Sequence, residues 1–353
     1  MPSIAHFSDS ASLPKIVLHE HLDGGLRPDT VEELLHAQGV ALPWTPGQAS
    51  AWFQTQANAK SLPRYLDTFE ITLACMQRAD FIQRIAREAA QDLVMDNVRY
   101  AELRFAPLLC TRNGLSPEAV VEAALDGLRG YPIKLLLCAM RQNDPADSMR
   151  TVDLALRYRD HGVVGVDLAG PEEGFLPSRH TRAFKKAESA GLGITIHAGE
   201  VSGMESLRSA VKEGFAHRLG HGIQLSSTMQ ANGGLDPLAW EILERNLVLE
   251  VCPSSNVQTG AVSSMATHPW KVLDYLGFPI TLNTDNRLMG GVSTSMEWDR
   301  AVLAFGITPS DAIRHTETAI GGIFGGESMK AELRQTLRNY ETQSMSSTIS
   351  PGN

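Results

Sequence analysis

The chain has 353 residues, of which 43% are hydrophobic, 6% aromatic and 20% charged, which is typical of a globular protein with a large buried core. Its net charge is −9 at pH 7 and it has no cluster of Lys and Arg, which argues against nucleic acid as a partner. Met1 to Ser12 lack the basic and apolar regions of a signal peptide, and no segment has the roughly 18 apolar residues that span a membrane, so we expect a cytoplasmic protein without membrane contact.

A short apolar run at residues 15–18 predicts the first β-strand, and two histidines, His19 and His21, follow it. Residues two apart in a strand point to the same face, about 6.5–7 Å apart at Cα, so one metal ion could contact both imidazoles. A glycine pair then ends the strand, and Pro28 begins a predicted helix. Strand ends are the usual position of catalytic groups in α/β folds, although two such histidines can also be ordinary polar side chains.

Residues 41–96 have no strand pattern and are predicted to form a helical insertion after strand one. The insertion includes aromatic and apolar residues such as Trp52 and Tyr65. It could simply extend the core. Because long insertions after barrel strands lie on the active-site face, it could instead form a hydrophobic flap over a pocket.

From residue 98 the chain alternates short apolar runs with helix-length segments. The seven further predicted strands span residues 98–105, 133–139, 163–168, 193–197, 216–220, 247–251 and 279–283. The helices between them are predicted at 116–128, 146–159, 179–190, 205–212, 238–245 and 269–276. Strict alternation favours a parallel sheet, and eight units without a leftover strand favour an α/β fold of the closed (β/α)8 TIM barrel type.

Three more helices are predicted after strand eight, at 293–305, 309–320 and 329–342, and would cover the outside of the barrel. The last residues, 343–353, are rich in Ser and contain Pro and Gly, so we expect them to be disordered. Residues 1–342 are therefore predicted to form a single barrel domain.

The four cysteines are widely spaced and include no Cys-x-x-Cys pair, which disfavours a thiolate zinc site. They are Cys75, Cys110, Cys138 and Cys252. We expect them to be buried apolar residues.

Polar residues lie at the end of most of the predicted strands or just after it, at the barrel end where active sites lie. They are His19, His21, Asp167, His197, Glu200, His221, Glu250, Asn283, Asp285 and Asn286. Four of the eleven histidines are in this group, and they come from three strands. Such clustering points to a shared site.

Three imidazoles and one carboxylate at strand ends match a site for a divalent cation with one position left for water. The candidate ligands are His19, His21, His197 and Asp285. The metal would lower the pKa of its water toward about 7. His221 could orient that water and take its proton, and Glu200 could donate a proton to the substrate. Alternatively, His221 could cap the following helix, and Glu200 could be a helix-start residue favoured by the helix dipole.

Six motifs between residues 19 and 286 resemble, in order, those of the adenosine deaminase family of metal-dependent barrels, especially bacterial members. They are His-Glu-His-Leu-Asp-Gly, Asp-Leu-Ala-Gly, His-Ala-Gly-Glu, Gly-His-Gly, Glu-Val-Cys-Pro-Ser-Ser-Asn and Asn-Thr-Asp. The segment 100–107 matches as well. One such motif would be weak support, whereas six in order are specific.

The resemblance implies an enzyme with one Zn2+ per chain that converts adenosine or deoxyadenosine to inosine or deoxyinosine and ammonia. Zinc-bound hydroxide would attack purine C6 while N1 is protonated. The positions that match the zinc ligands are His19, His21, His197 and Asp285. Glu200 matches the residue that protonates N1, and His221 the group that positions and deprotonates the water. Gly170 matches a glycine whose amide contacts N3, and Asp23 a carboxylate that binds the ribose 5′-hydroxyl.

Asn286 departs from the family pattern, because many members have Asp there in contact with N7. A neutral amide can still donate a hydrogen bond to N7, so a purine substrate is compatible with this residue. Wider relatives act on free adenine, on N6-substituted or 5′-extended adenine compounds, or on aminodeoxyfutalosine. Retention of Asp23 favours a ligand with a free 5′-hydroxyl, and therefore a nucleoside over a free base.

A hypothesis of another class is a non-catalytic nucleoside-binding protein on the same barrel, since a fold does not fix a function. The chain keeps every matched ligand and the matched acid, which favours the enzyme. Mixed His and Asp ligation suits zinc, iron or manganese, and only the resemblance selects zinc. The sequence does not determine the oligomeric state.

Overall fold

The structure, a computed structural model, describes residues 10–228 and 234–348. Eight strands form one sheet in which every neighbouring pair is parallel and the strand order follows the chain. The strands are β1 (Lys15–His21), β2 (Val98–Phe105), β3 (Ile133–Met140), β4 (Val163–Ala169), β5 (Gly193–Ala198), β6 (Arg218–His221), β7 (Val248–Val251) and β8 (Ile280–Leu282). The predicted (β/α)8 TIM barrel is confirmed.

Sixteen α-helices lie in the described residues, and at least one separates each pair of consecutive strands. They are α1 (Pro28–Ala37), α2 (Ala49–Ala57), α3 (Leu62–Asp67), α4 (Phe69–Cys75), α5 (Ala79–Met95), α6 (Pro117–Leu128), α7 (Pro145–Tyr158), α8 (Thr181–Ser189), α9 (Met204–Lys212), α10 (Pro237–Glu244), α11 (Pro253–Gln258), α12 (Trp270–Tyr275), α13 (Arg287–Gly290), α14 (Thr294–Phe305), α15 (Pro309–Gly322) and α16 (Glu327–Thr348). Helices α2 to α5 form the predicted insertion. No helix of the described residues is both long and apolar enough to cross a bilayer.

Local signals explain why most helix starts agree with the sequence prediction. Helices α6, α7, α10 and α15 each begin with Pro, and the preceding Ser116, Asp144, Asp236 or Thr308 accepts a hydrogen bond from the first turn. The end of α16 was predicted too early, because the helix continues to Thr348. The Ser-rich composition had suggested disorder from residue 343, but within residues 343–353 the helix-breaking Pro and Gly occur only at 351–352. Residues 349–353 lie outside the described residues.

The apolar core lies between the barrel and its surrounding helices. One large cluster joins the strands to the helices and includes Ile85 of α5, Val121 of α6 and Leu135 of β3. A second cluster contains Ile320 of α15 and Leu337 of α16 together with side chains from β1, β2 and β7. The C-terminal helices therefore cover the outside of the barrel, as predicted. The four cysteines are also buried and unpaired.

The barrel closes between β8 and β1 through a few specific hydrogen bonds. The N–H of His21 donates to the carbonyl of Asp285 at 2.7 Å, and the N–H of Asp285 donates to the carbonyl of His19 at 3.0 Å. Two residues before Asp285, the side-chain Oδ1 of Asn283 accepts from the N–H groups of Leu18 and His19, at 2.9 and 3.1 Å. The Asn283 side chain thus supplies hydrogen bonds that main-chain groups make between the other neighbouring strands. The residues that close the barrel include three of the predicted metal ligands.

Charged side chains occupy the interior of the barrel. Arg104 contacts Asp167 at 3.3 Å and Glu250 at 2.8 Å. Arg218 contacts Glu250 at 2.6 Å and Glu102 at 2.7 Å. The side chains of these five residues are at most 1% exposed. Because buried charges are costly without partners, the network has to be maintained as a whole.

The substitution Arg218→Met should destabilise the protein strongly, since it removes the arginine partner of buried Glu102 and one of the two arginine partners of buried Glu250. We expect a loss of about 3–5 kcal/mol in the free energy of unfolding, measured by urea denaturation. Arg129→Met is the matched control, because that side chain is 81% exposed. Its expected effect is within about 0.5 kcal/mol. Equal effects of the two substitutions would contradict this account.

Candidate active site

Four predicted ligand side chains meet at the carboxyl ends of β1, β5 and β8. Nε2 of His19 and Nε2 of His21 each lie 3.4 Å from Oδ1 of Asp285. Nε2 of His21 also lies 3.2 Å from Nε2 of His197. One ligand atom from each residue falls within 4.8 Å of the others, so a single ion can contact all four.

Two buried carboxylates orient the imidazoles of this cluster. His19 Nδ1 lies 2.9 Å from Oε2 of Glu250, and His197 Nδ1 lies 3.1 Å from Oδ1 of Asp167. Burial lowers the pKa of His197 to about 3 and also lowers the pKa of His19, so both rings are neutral at pH 7. A neutral ring that donates from Nδ1 to a carboxylate carries its lone pair on Nε2. Both lone pairs therefore point at the centre of the cluster.

The cluster fits a cation chemically. Nε2 of His19 is buried and has no hydrogen-bond partner among the described residues. Nε2 of His21 and Nε2 of His197 face each other across 3.2 Å. A buried acceptor without a donor is unfavourable, and an ion at the centre would satisfy these atoms together. Three imidazole nitrogens and one carboxylate oxygen are a suitable donor set for zinc with one position left open.

The carboxylate of Asp285 is held so that one oxygen faces the cluster. Ser255 Oγ donates a hydrogen bond to Oδ2 at 2.5 Å, which leaves Oδ1 directed at the histidines. Burial raises the pKa of Asp285, but the neighbouring histidines, above all His19, outweigh burial and hold this pKa well below its ordinary value. Asp285 is therefore ionised and available as a ligand.

Two residues of the site adopt the left-handed backbone conformation that favours glycine. His221 has φ 64° and Asp285 has φ 61°. Such a conformation costs a non-glycine residue about 1–3 kcal/mol and persists only where the surroundings enforce it. At Asp285 the enforcing contacts are the main-chain bonds to His19 and His21 that close the barrel. With this backbone conformation, both side chains lie beside His19 at the centre of the site.

Glu200 follows β5 and is 5% exposed. Thr259 Oγ1 donates to its Oε1 at 2.9 Å, and Asn256 Nδ2 donates to the same oxygen at 3.4 Å. Burial raises the pKa of Glu200, although His221, whose Nε2 lies 3.7 Å from Oε2, acts in the opposite direction. A raised pKa favours the protonated carboxyl group, which can donate a proton. The next helix, α9, begins only at Met204.

His221 lies between Glu200 and the metal ligands. Its ring centroid is 4.9 Å from that of His19 and 5.4 Å from that of His197. Asn256 Nδ2 donates to its Nδ1 at 3.1 Å, so the proton of a neutral ring is on Nε2 and can orient a water molecule. If the Asn256 amide turns so that its Oδ1 accepts from Nδ1, Nε2 becomes a proton acceptor.

A cavity opens beside the ligands, and the predicted substrate contacts Asp23, Gly170 and Asn286 line it. Oδ1 of Asp23 and Oδ1 of Asn286 are buried and have no hydrogen-bond partner among the described residues. Unsatisfied buried acceptors of this kind are available to a ligand. Every predicted site residue except His19, which is fully buried behind the other ligands, therefore lines this cavity.

The helical insertion supplies an apolar wall of this cavity. The wall consists of Leu62, Tyr65, Leu66, Phe69 and Leu73 from α3 and α4. Tyr65 is 2% exposed, and its hydroxyl is buried without a hydrogen-bond partner among the described residues. The insertion thus lies on the active-site face, where the flap hypothesis had located it.

Sequence reasoning missed the residues behind the ligands. Asp167 and Glu250 were recognised at strand ends but received no role, although both begin matched motifs, Asp-Leu-Ala-Gly and Glu-Val-Cys-Pro. Glu172 had no signal that pointed to the site, and Tyr65 was connected with it only through the hypothesis that the insertion forms a flap. Ser255 and Asn256 lie in the matched motif after β7, at the same end of the barrel as the ligands, so a hydroxyl and an amide there could have suggested supporting contacts.

Comparison with known proteins identifies the family. A family model described as adenosine deaminase matches residues 14–340. An adenosine deaminase from Mycolicibacterium vanbaalenii is 44% identical over 335 residues, which cover 90% of this chain and 92% of that protein.

Solved structures agree with this match. An N6-mAMP deaminase from Arabidopsis has a TM-score of 0.82 at 29% identity, covering 94% of this chain and 99% of that one. An amidohydrolase from Burkholderia ambifaria with bound Zn has a TM-score of 0.84 at 25% identity, covering 96% of this chain and 93% of that one. The family model spans the whole barrel, and the chain therefore belongs to the adenosine deaminase family.

Proposed function

We propose that this protein is a zinc-dependent adenosine deaminase that hydrolyses adenosine and deoxyadenosine to inosine or deoxyinosine and ammonia. The observation that carries the proposal is the convergence of four ligand atoms beside a cavity that also contains a buried acid, Glu200. The 44% identity to a mycobacterial adenosine deaminase supports the same reaction. Zinc is inferred from the donor set and from the zinc-bound amidohydrolase of similar fold.

His19, His21, His197 and Asp285 would hold the zinc ion. Bound zinc acts as a Lewis acid and makes an activated water available at neutral pH. Glu200 donates its proton to purine N1, which makes C6 more electrophilic. His221 positions the attacking water from the side of the cluster. Its Nε2 accepts a proton from that water once the Asn256 amide has turned, so that Asn256 Oδ1 accepts a hydrogen bond from Nδ1–H of His221. Asn286 directs its amide to purine N7, and the backbone of Gly170 contacts N3.

The charge of the cavity favours a neutral nucleoside as the substrate. None of the described residues that line it is Lys or Arg. Oδ1 of Asp23 is buried and lies 3.7 Å from His21 Nδ1, but it accepts no hydrogen bond from the described residues, so it can accept one from a ribose 5′-hydroxyl. A 5′-phosphate at that position would be repelled, because like charges at close range are unfavourable. Free adenine would leave Asp23 unsatisfied.

A substrate screen tests this proposal directly. We expect the zinc-loaded protein to release ammonia from adenosine and deoxyadenosine, and the ultraviolet spectrum to change to that of the hypoxanthine base. For AMP and adenine, kcat/KM should be lower by about tenfold or more, because each lacks or opposes the contact to Asp23. A higher kcat/KM for AMP, adenine or aminodeoxyfutalosine than for adenosine would refute the assignment.

The substitution Glu200→Gln tests the proton donor. The amide keeps the shape of the side chain but has no acidic proton, so we expect kcat to fall by about 10²–10⁴-fold or more. The zinc content, measured by plasma mass spectrometry, should stay at one per chain, because Glu200 is not among the ligands.

Glu205→Gln is the control, since Glu205 is exposed at the start of α9. It should keep the activity of the parent protein. If Glu200→Gln also retained full activity, Glu200 would have no part in the reaction.

A further inference from the structure

Glu172, in the loop after β4, holds a neighbouring loop through an unusual set of contacts. It is 3% exposed, and its carboxylate accepts hydrogen bonds from four consecutive backbone N–H groups. Gly199 donates to Oε1 at 2.5 Å. Glu200, Val201 and Ser202 donate to Oε2 at 3.2, 2.9 and 2.8 Å.

These four N–H groups belong to the loop that joins β5 to α9. Consecutive amides that point into one concavity form a binding site for an anion, and here the anion is a side chain of the same protein. Hydrogen bonds to an ionised acceptor are about twice as strong as neutral ones. Gly199 has φ 69°, a conformation that lets its N–H turn toward the carboxylate. The loop conformation therefore depends on the charge of Glu172.

The loop contains Glu200, which is consequently fixed from two sides. Its backbone N–H is bound by Glu172, and its carbonyl accepts from Gln224 Nε2 at 3.1 Å. Its carboxyl oxygen Oε1 accepts from Thr259 Oγ1 at 2.9 Å. Glu172 also lines the cavity, so the contact lies at the edge of the site.

We propose that Glu172 is a positioning residue of the deamination reaction, which holds the 199–202 loop so that the carboxyl group of Glu200 faces purine N1. The inference rests on the proposed function. Proton transfer requires the donor within hydrogen-bond distance of N1, and a displacement of about 1 Å can cost about 10²-fold in rate. Glu172 acts through Glu200 and is not itself a proton donor.

The substitution Glu172→Gln should separate positioning from binding. A glutamine side chain has the same length, but its Nε2 cannot accept a hydrogen bond and its charge is zero. At least one of the four N–H groups therefore loses its acceptor. We expect kcat for adenosine to fall by about 10²-fold. KM should change by less than about threefold, because the proposed contacts of Asp23 and Asn286 are unaffected.

The adjacent residue offers a matched control. Glu173 is exposed, so Glu173→Gln removes the same charge one position away without touching the loop, and its kinetics should equal those of the parent protein. Glu172→Gln should also retain one zinc per chain and a cooperative thermal transition.

A double-mutant cycle with Glu200→Gln distinguishes positioning from general damage. If Glu172 acts through Glu200, adding Glu172→Gln to Glu200→Gln lowers kcat by less than about threefold further. If kcat of the double variant instead falls by the product of the two single losses, the proposal is wrong.

Hydrogen exchange of the 199–202 amides tests, without any substrate, whether Glu172 holds this loop. These amides should exchange at least about tenfold faster in Glu172→Gln than in Glu173→Gln, because their hydrogen bonds are weakened. Unchanged exchange would overturn the proposal even if the parent protein deaminates adenosine. If the parent protein does not turn over adenosine, the proposed function fails by itself, and the exchange rates still decide whether Glu172 holds the loop.

Discussion

The barrel interior and the candidate metal site both depend on one buried group, the carboxylate of Glu250. Its Oε2 accepts from His19 Nδ1 at 2.9 Å and from Arg104 Nη2 at 2.8 Å, and its Oε1 accepts from Arg218 Nε at 2.6 Å and Thr195 Oγ1 at 3.0 Å. Burial raises the pKa of Glu250, but Arg104 and Arg218 outweigh burial and keep it ionised. One anion thus pairs with two buried guanidinium groups and orients a ligand histidine.

The hydrogen bonds that close the barrel also position the candidate metal ligands. Strand β8 is short, and the hydrogen bonds that join it to β1 involve the main chain of His19, His21 and Asp285. A shift of this pairing by one residue would turn the ligand side chains away from the centre, because neighbouring strand residues face opposite sides. The positive φ of Asp285 belongs to the same closure. The candidate ligands are therefore part of the barrel itself, whereas the helical insertion supplies the apolar wall of the cavity.

The sequence predicted those features that are encoded locally. His19 and His21 share a face through the period of a strand, and Pro with a preceding cap residue marks helix starts, so the strands and most helices could be predicted and four candidate ligands proposed. Glu172 could not be identified, because its partners are backbone amides 27 to 30 residues away and amides have no sequence signature. Glu250 could not be recognised as the interior anion, since its two arginines come from other strands. The end of α16 was missed because composition, not a stop signal, was used to place it.

The central claim is that four side chains at the ends of three strands, β1, β5 and β8, bind one zinc ion whose ligands are oriented by buried carboxylates. Anomalous diffraction at the zinc edge, on crystals of the protein purified with zinc, tests it most directly. The account predicts one strong anomalous peak, from a zinc ion about 2.0–2.2 Å from each of four ligand atoms. These atoms are Nε2 of His19, His21 and His197 and Oδ1 of Asp285. A zinc-loaded crystal without a peak at these atoms, or with its zinc bound elsewhere, would contradict it.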